Sequence, residues 1–390
     1  MGHVCMFVSL LCVAVASGIR PLADSVDSFQ NLRATDDDIN DTELKRVFVI
    51  FRHGDRTPDE EELAFTPTID YTNIFFPYGP KALTNKGKER AYYVGLYLRT
   101  RYNGLLSSLY LPEEITVRTT DYARTKMTAL AALAGLYPPQ QVQKWHPHLA
   151  WQPIPYNTLP FDEDDLLYYY NCPRYLWVRD QVYDLPEMQE KIKPYTELMH
   201  YLSEHSKSRI KTTEDVFFMD NLFKALDNVG MKIPRWAAEV MPRIKEVTKI
   251  EYAAEFYNSE AIRLASGVLM GEIQKAMASV VSGSNEGPKM RVYSAHENNV
   301  AGLMAASRVF VPHQPPYGAT FSLELRRKPN GEFVVAAVYT QNVGPTATVQ
   351  ILPIDGCGGK VLCDFDTFMA LVSEYAWTKH DYKLMCPKKF

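Results

Sequence analysis

Short apolar runs, each followed by a longer amphipathic stretch, occur at both ends of this chain. Residues 46–51 are almost continuously apolar, which is typical of a strand buried on both faces of a parallel sheet. Residues 115–118 and 290–295 are similar short runs that lead into stretches with helical periodicity. Strand-then-helix units of this kind predict an α/β sheet.

Helices and a hairpin around this sheet follow from the same patterns. Thr84 is a suitable N-cap for a helix that places Ala91, Val94 and Leu98 on one face. Asn330-Gly331 joins two alternating stretches, which is a strong hairpin signal. The patterns predict helices over 84–102 and 121–136 and from about 298, and hairpin strands over 321–325 and 332–339.

The middle of the chain has a different pattern. Residues 155–265 mix polar and apolar positions over long stretches with few strand signals, which indicates a mostly helical insertion. The sheet would then be built from residues 44–154 and 266–390. The expected architecture is an α/β sheet flanked by helices, with a smaller, mostly helical inserted domain.

The N-terminus is predicted to be a targeting segment. Residues 4–16 are mostly apolar and carry no charged side chain, yet they are too few to span a bilayer, which takes about 20 residues. Small residues follow, so 1–18 are predicted to be a signal peptide. The acidic residues 19–43 are predicted to be a flexible leader, with order from Leu44 and a glycosylation acceptor at Asn40. The mature protein is expected to be secreted.

Cysteine usage agrees with an oxidising compartment. Cys5 and Cys12 would leave with the signal peptide, and four cysteines would remain: Cys172, Cys357, Cys363 and Cys386. An even count implies two disulfides with three possible pairings. Cys357 and Cys363 are close in sequence, so a local loop between them is the simplest pairing. No Cys-x-x-Cys pair occurs, which disfavours metal ligation.

The net charge limits the kinds of partner that the protein is expected to bind. The 390 residues include 42 basic and 46 acidic side chains, for a net charge of −4. No strong overall field attracts nucleic acid or an anionic membrane surface, and neither is expected as a partner. An anionic substrate would have to be held by a local cluster of cations.

Three motifs at the ends of predicted strands form such a cluster. Arg52 and His53 follow the first strand, Arg124 lies shortly after the second, and His296 and Glu297 follow the third. In open α/β sheets, ligands bind outside the carboxyl ends of the strands. The motifs are therefore expected to meet in one crevice.

The basic residues of these motifs suit a phosphoryl group. Arg52, Arg56 and Arg124 offer fork-shaped, permanently charged donors for phosphate oxygens, so neither a metal ion nor a cofactor is required. Gly54 is expected to let the backbone turn tightly beside the anion. The motifs thus predict a site for a small phosphate monoester.

His53, His296 and Glu297 supply the remaining chemistry. A neutral His53 is a competent nucleophile, and a backbone carbonyl is expected to hold the ring nitrogen that does not attack. His296 can donate to a phosphate oxygen. Glu297 can protonate the leaving alkoxide and then take a proton from the attacking water. The set predicts hydrolysis of phosphate monoesters.

The motifs resemble those of the histidine acid phosphatase family, a branch of the phosphoglycerate-mutase-like superfamily. The run Arg52-His53-Gly54-Asp55-Arg56-Thr57-Pro58 fits the RHGxRxP signature of that family. Residues 118–125 look like its second arginine element, and residues 294–297 look like its late histidine motif. Residues 151–155 and 171–174 are similar to prostatic and lysosomal members, and the likeness covers about 44–386.

This resemblance implies both a fold and a mechanism. It implies a phosphoglycerate-mutase-like sheet flanked by helices and a phosphohistidine intermediate on His53. It also implies that phosphate is bound by Arg52, Arg56, Arg124 and His296, and that the disulfides are Cys172–Cys386 and Cys357–Cys363. Relatives are often dimers, so a homodimer is expected by analogy.

Two positions depart from the family pattern. Most members have His-Asp where this chain has His296-Glu297. Insect venom and salivary acid phosphatases look similar in carrying His-Glu, and activity is expected to survive. Ala123 replaces the usual Asp before Arg124, which would loosen the orientation of that arginine.

Other candidate residues have simpler explanations. Arg118 is expected to form a structural ion pair rather than a phosphate contact. His146 and His148 look like a metal motif, but without a third ligand nearby they are expected in a surface loop.

Two other functions compete with a secreted acid phosphatase of broad specificity. A phytase or inositol-polyphosphate phosphatase shares the core residues but needs a more basic crevice, and the acidic run 59–62 argues against it. A secreted, non-catalytic binding protein or allergen should show a broken residue set, which this chain does not have.

Overall fold

The computed structural model describes residues 39–387 except 72, 285–286 and 345–346. The strands are β1 (Glu43–Arg52), β2 (Ile115–Thr119), β3 (Asn157–Thr158), β4 (Met290–Ala295), β5 (Thr320–Arg327), β6 (Phe333–Thr340), β7 (Val349–Leu352) and β8 (Leu362–Asp364). The helices are α1 (Glu60–Leu63), α2 (Asn85–Arg101), α3 (Ala123–Leu136), α4 (Pro173–Tyr183), α5 (Pro186–Ile192), α6 (Thr196–Ser206), α7 (Thr213–Asn228), α8 (Arg235–Glu255), α9 (Ser259–Val281), α10 (Glu297–Ala306), α11 (Phe365–Val372) and α12 (Lys379–Met385).

The described strands form one mixed sheet in the order β3-β2-β4-β1-β5-β6-β7, with β8 also paired to β6. Strands β3, β2, β4 and β1 run parallel to one another. The pairings of β5 with β1 and β6, and of β6 with β7 and β8, are antiparallel. The predicted α/β sheet is confirmed, and the predicted hairpin is β5-β6. The prediction that β1 lies in a parallel sheet is wrong on one side, because β5 of the hairpin pairs antiparallel with the edge of β1 that β4 leaves free.

Alternate side chains of β1 enter two separate cores, which explains its continuous apolar run. Phe48 and Ile50 pack with α9 and α10 on one face. Val47, Val49 and Phe51 pack with α2 and α3 on the other. All five are 0% exposed, and full burial of such a side chain stabilises the fold by about 1.5–3 kcal/mol. The strand is therefore fixed rigidly up to its last residue.

A third core lies among α6, α7 and α8. Helices α4 to α8 fall within 155–265, but α9 runs through the boundary predicted at residue 265. Phe75 belongs to the third core, and Tyr175 of α4 belongs to the core under the sheet. Thus residues from outside 155–265 complete the helical core, and residues from inside it complete the sheet core.

The predicted disulfides are both present. Cys172–Cys386 joins the start of α4 to the end of α12, and Cys357–Cys363 closes a short loop that ends in β8. The first bridge spans 214 residues of sequence, and a loop of that size is the kind whose closure restricts an unfolded chain most. No helix in the described part of the chain is long and apolar enough to cross a membrane.

The N-terminal predictions fall mostly outside the described residues. The predicted signal peptide and residues 19–38 of the predicted leader lie there. Ordered structure begins earlier than Leu44, because Ile39 is buried and β1 starts at Glu43. Asn40 is exposed in the turn before β1, and its glycosylation stays a prediction.

Candidate active site

The carboxyl ends of three neighbouring strands bring the predicted motifs together. In the order β2-β4-β1, Thr119 pairs with Ser294 and Arg52 pairs with Ala295, so the residues after each strand lie side by side. They border a cavity of about 390 Å³, whose lining includes His53, Arg56, Arg124, His296 and Glu297. Arg52 is buried behind this wall and contacts it through Glu297.

His53 is held in one tautomer by its neighbours. Its Nδ1 lies 2.9 Å from the carbonyl oxygen of Gly54, so Nδ1 carries a proton and donates it to that oxygen. Its Nε2 accepts from Nε of Arg124 at 3.2 Å. Burial, followed by the positive charge of Arg124, lowers the pKa of His53 well below its ordinary value. The ring is therefore neutral at mildly acidic pH, with the lone pair of Nε2 directed to the arginine.

Gly54 is required for close packing rather than for a turn. Its φ is not positive, so the backbone conformation at this residue does not itself require glycine. A Cβ at Gly54 would lie 2.2 Å from the carbonyl oxygen of Gly87 in α2. The backbone amide of Gly54 donates to Oγ1 of Thr128 in α3 at 3.1 Å. Gly54 thus lets two helices approach the loop that carries His53.

Arg124 keeps a fixed orientation although Ala123 stands beside it. Its guanidinium carbon lies 4.1 Å from the centre of the Tyr122 ring, a cation–π contact. Its Nε is held by His53. The ring and the imidazole orient the guanidinium although residue 123 is not a carboxylate, and the effect of Ala123 on its mobility stays a prediction.

Arg56 is clamped by Glu62, a residue that the sequence motifs did not single out. Nη1 and Nη2 of Arg56 donate to the two carboxylate oxygens of Glu62 at 2.8 and 2.5 Å. Burial alone would lower the pKa of Arg56, but the charge of Glu62 holds that pKa well above its ordinary value. Nε of Arg56 is buried and has no hydrogen-bond partner within the described structure, which leaves this donor for an oxyanion.

A helix signal in the sequence could have identified Glu62. Glu62 accepts from the backbone amide of Asp59 at 2.8 Å, and the two residues form the capping box that starts α1. An Asp-x-x-Glu pattern is the mark of such a start. The acidic run 59–62 argues against a phytase, and its last member orients Arg56.

We expect Glu62→Gln to lower kcat/KM for an aryl phosphate by about 10-fold or more, because a charged hydrogen-bond partner contributes roughly 1.5–3 kcal/mol. Steady-state rates at mildly acidic pH would measure it. Glu60→Gln is the matched control, since Glu60 is an exposed residue of the same helix that pairs with Lys81. Equal rates for the two variants would show that Glu62 does not orient Arg56.

Arg52 and Glu297 form a buried pair at the back of the cavity. Nε of Arg52 lies 2.9 Å from Oε2 of Glu297, and Nη1 donates to the carbonyl oxygen of Pro315 at 2.8 Å. The guanidinium also stacks on the Tyr317 ring at 4.0 Å. Nη2 is buried without a hydrogen-bond partner among the described residues. Arg52 therefore keeps one donor for a further oxyanion.

Glu297 is the first residue of α10, where the helix dipole favours negative charge. Burial would raise the pKa of Glu297, but Arg52 and then Arg56 outweigh it and lower that pKa. The carboxylate is therefore ionised beside Arg52. A bound phosphate would add negative charge next to it and raise the same pKa, which suits a group that has to gain and lose a proton.

His296 faces His53 across the cavity. The two imidazole centres are 5.4 Å apart in an edge-on arrangement. Burial, followed by the charge of Arg124, lowers the pKa of His296 well below its ordinary value. Two neutral imidazoles therefore lie among three guanidinium groups.

The charges around this centre fit an anion better than a metal ion. Ligand atoms of His53, His296 and Glu297 lie within 4.8 Å of one another, and their types could hold a metal. However, Nε2 of His53 accepts from Arg124, and Glu297 pairs with Arg52. Guanidinium groups this close repel a cation. That the activity needs no metal ion stays a prediction.

Beyond the phosphate cradle, which we define as Arg52, Arg56 and Arg124, the cavity wall is aromatic and acidic. Of the described residues that line it, Arg179 is the one cation outside the cradle, and it is paired with Glu214 at 3.2 Å. The aromatic members are Tyr122, Tyr168, Tyr170, Phe217 and Phe218, and the carboxylates include Asp59, Glu61, Glu214, Glu251 and Glu255. This wall would contact the leaving group.

The other sequence candidates lie away from the chemistry. Arg118 forms an ion pair of 2.9 Å with the buried Asp164, as expected. His146 and His148 are exposed, and Nδ1 of His146 accepts from the backbone amide of His148. Neither motif contributes to the cavity.

Comparison with known proteins places this geometry in a family. Residues 43–340 match the model of the histidine phosphatase superfamily (branch 2). The chain is 31% identical to a venom acid phosphatase of Apis mellifera over 89% of both chains. It is 33% identical to prostatic acid phosphatase of Bos taurus over 88% of both.

A solved structure adds evidence on the fold. The phytase from Citrobacter braakii superposes with a TM-score of 0.66 at 16% identity, covering 86% of this chain and 98% of that chain. At this identity the likeness shows a common fold. The matched segment contains the cradle, both histidines and Glu297, and the chain belongs to branch 2 of the histidine phosphatase superfamily.

Proposed function

We propose that the protein is an acid phosphatase that hydrolyses phosphate monoesters through a phosphohistidine on His53. The observation that carries this proposal is the neutral Nε2 of His53, which lies among guanidinium groups that suit a phosphoryl group. The relatives named as venom and prostatic acid phosphatases support it. A non-catalytic binding protein would not need a nucleophile and a proton donor in addition to the phosphate-binding arginines.

The first chemical step forms the covalent intermediate. Phosphate oxygens accept hydrogen bonds from the free donors of Arg52 and Arg56, and Nε of Arg124 transfers its hydrogen bond from His53 Nε2 to a phosphate oxygen. The freed lone pair of His53 Nε2 forms the nitrogen–phosphorus bond as the bond between phosphorus and the ester oxygen breaks. Protonated Glu297 gives its proton to that leaving oxygen. The products are an alcohol, a phosphohistidine and an ionised Glu297.

The second step returns the enzyme to its starting state. Ionised Glu297 takes a proton from a water molecule whose oxygen attacks phosphorus, and the nitrogen–phosphorus bond breaks. His53 is neutral again, and Glu297 is protonated while phosphate is bound. When inorganic phosphate leaves, Glu297 gives this proton to water and is ionised again. The cradle holds the phosphoryl oxygens throughout, so the negative charge is stabilised in both steps.

The wall of the cavity favours a substrate with one phosphate. An inositol polyphosphate would bring further phosphates against Asp59, Glu61 and Glu214, where like charges repel. The only lining cation there among the described residues, Arg179, is already paired. The solved phytase shares the fold, but this wall does not suit an inositol polyphosphate.

We expect the purified protein to release phosphate from an aryl monophosphate at mildly acidic pH with a chelator present. We expect kcat/KM for phytate to be at least about 10-fold lower, since one unfavourable charge contact of about 1.4 kcal/mol suffices for that ratio. Phosphate release from the two substrates would measure it. A preference for phytate would favour the inositol-polyphosphate phosphatase, and no turnover of either would favour the binding protein.

We also propose that the protein is secreted and that residues 1–18 are removed. The two disulfides support an oxidising compartment. N-terminal sequencing of protein recovered from a culture medium would test this. A chain that keeps residues 1–18, or that stays in the cell, would contradict it. A homodimer stays a prediction by analogy.

A further inference from the structure

His296 is fixed by a chain of two buried hydroxyl groups. Its Nε2 lies 2.9 Å from Oγ1 of Thr120, and that oxygen lies 2.9 Å from Oγ1 of Thr125. Both threonines are 0% exposed. Thr120 follows β2, Thr125 is in the first turn of α3, and His296 follows β4. The chain therefore links all three elements at the carboxyl edge of the sheet.

The direction of each hydrogen bond follows from the acceptors at the end of this chain. Oγ1 of Thr125 lies 2.8 Å from the carbonyl oxygen of Tyr122 and 3.0 Å from that of Thr120. Carbonyl oxygens only accept, so Thr125 gives its single hydroxyl proton to one of them. Thr125 must then accept from Thr120. The proton of Thr120 is committed, and its oxygen can only accept from Nε2 of His296.

We propose that Thr120 and Thr125 are positioning residues that keep the proton of neutral His296 on Nε2 and fix the plane of its ring. The expected kinetic effect of this proposal rests on the proposed function, whereas the tautomer of His296 does not. Nδ1 then holds the lone pair in neutral His296. The ring gains its second proton at Nδ1, and the protonated ring keeps Thr120 as an acceptor.

A residue outside the cavity also fixes the position of the two hydroxyl groups. Oγ of Ser294, a buried residue of β4, donates to the backbone carbonyl of Thr125 at 2.8 Å. This bond ties the start of α3 to the strand that ends at His296. The hydroxyl pair therefore cannot shift relative to the imidazole without breaking contacts of two elements.

Thr120→Val tests the proposal, because valine keeps the shape of threonine and removes the acceptor. We expect kcat/KM for an aryl phosphate to fall by about 10-fold or more, as for other residues that orient a ligand through a hydrogen bond. We also expect the pH profile of kcat/KM to move to lower pH, since protonated His296 would lose a charge-assisted hydrogen bond that is stronger than the one lost by the neutral ring. Thr120→Ser should restore both the rate and the profile.

Thr119→Val is the matched control. Thr119 is the preceding residue, is equally buried, and hydrogen-bonds Oγ1 of Thr158 at 3.0 Å rather than His296. A merely structural role for Thr120 would give two valine variants with similar losses of thermal stability and unmoved pH profiles. That result, or full activity of Thr120→Val, would overturn the proposal.

A direct measurement separates this proposal from the proposed function. In protein labelled with ¹⁵N-histidine, the signals of His296 would be assigned by their loss in His296→Asn. We expect a protonated Nε2 and an unprotonated Nδ1 in the wild type, and a mixture of tautomers in Thr120→Val. A protonated Nδ1 in the wild type would overturn the proposal whether or not the protein is a phosphatase.

Discussion

His53→Ala is expected to lower phosphate release by at least about 10³-fold, because the nucleophile of a covalent mechanism has no substitute. The cradle would remain, so the variant should still bind inorganic phosphate. Rates on an aryl phosphate at pH about 5 would measure the loss. A labelled phosphoryl group from the substrate should remain on the wild-type protein after an alkaline quench, since phosphohistidine is stable to alkali, and it should be missing from the variant.

The control for this prediction is His146→Ala, which removes an exposed imidazole outside the cavity. It should match the wild type in rate and in labelling. Equal turnover in His53→Ala and the wild type would disprove the phosphohistidine mechanism. Labelling that persisted in His53→Ala would place the phosphoryl group on another residue.

The pH dependence of this step follows from the lowered pKa of His53. An ordinary histidine, with a pKa of about 6.5, is mostly protonated at pH 5 and has lost its nucleophilic lone pair. Because burial and Arg124 lower the pKa of His53, the ring stays neutral there. The rate should therefore not fall as the pH drops from about 6.5 to 5. A fall with an apparent pKa near 6.5 would contradict the description of His53.

The strand ends of this fold could be predicted from sequence because burial sets them. Successive residues of β1 and β4 enter two different cores, so their apolar runs end where the cores end. The polar residues that follow, His53 and His296, must then lie at the edge of the sheet. This is why the motifs could be assigned to one crevice.

Contacts between distant polar residues could not be predicted in the same way. Glu62 reaches Arg56 through the short helix α1, and only the capping pattern marks that helix. Thr120 meets His296 because β2 and β4 are neighbours, and neighbouring strands far apart in sequence leave no periodic signal. The packing of Phe75 with α6 to α8 is also a contact between residues far apart in sequence. Because of it, the helical core includes a residue outside 155–265.

Glu297→Gln is expected to lower kcat for an alkyl phosphate by about 10²- to 10⁴-fold, the usual contribution of a general acid. Glutamine can still accept from Arg52, which keeps the geometry, but it cannot donate the proton that an alkoxide needs. The fall of kcat at higher pH that is caused by deprotonation of Glu297 should also be missing from this variant. In the wild type, kcat should fall as the pH rises and this carboxyl loses its proton in the complex.

The same variant should separate the two chemical steps. An aryl ester with an acidic phenol needs no proton to leave, so His53 should still be phosphorylated quickly. The water that follows has lost its base, and dephosphorylation should become rate-limiting. Rapid mixing should therefore show a burst of about one phenolate per active site, because an intermediate accumulates. Glu297→Asp keeps a carboxylate one methylene shorter and should show a smaller burst.

Glu260→Gln is a suitable control, since Glu260 pairs with Arg174 away from the cavity and its loss should leave rates unchanged. Thermal unfolding of each variant would show whether Arg52, now without a charged partner, weakens the fold. Equal losses for alkyl and aryl esters with no burst would mean that Glu297 acts through Arg52 rather than on the leaving oxygen. A burst confined to the glutamine and aspartate variants, together with a larger loss of rate for alkyl than for aryl esters, would assign both proton transfers to Glu297.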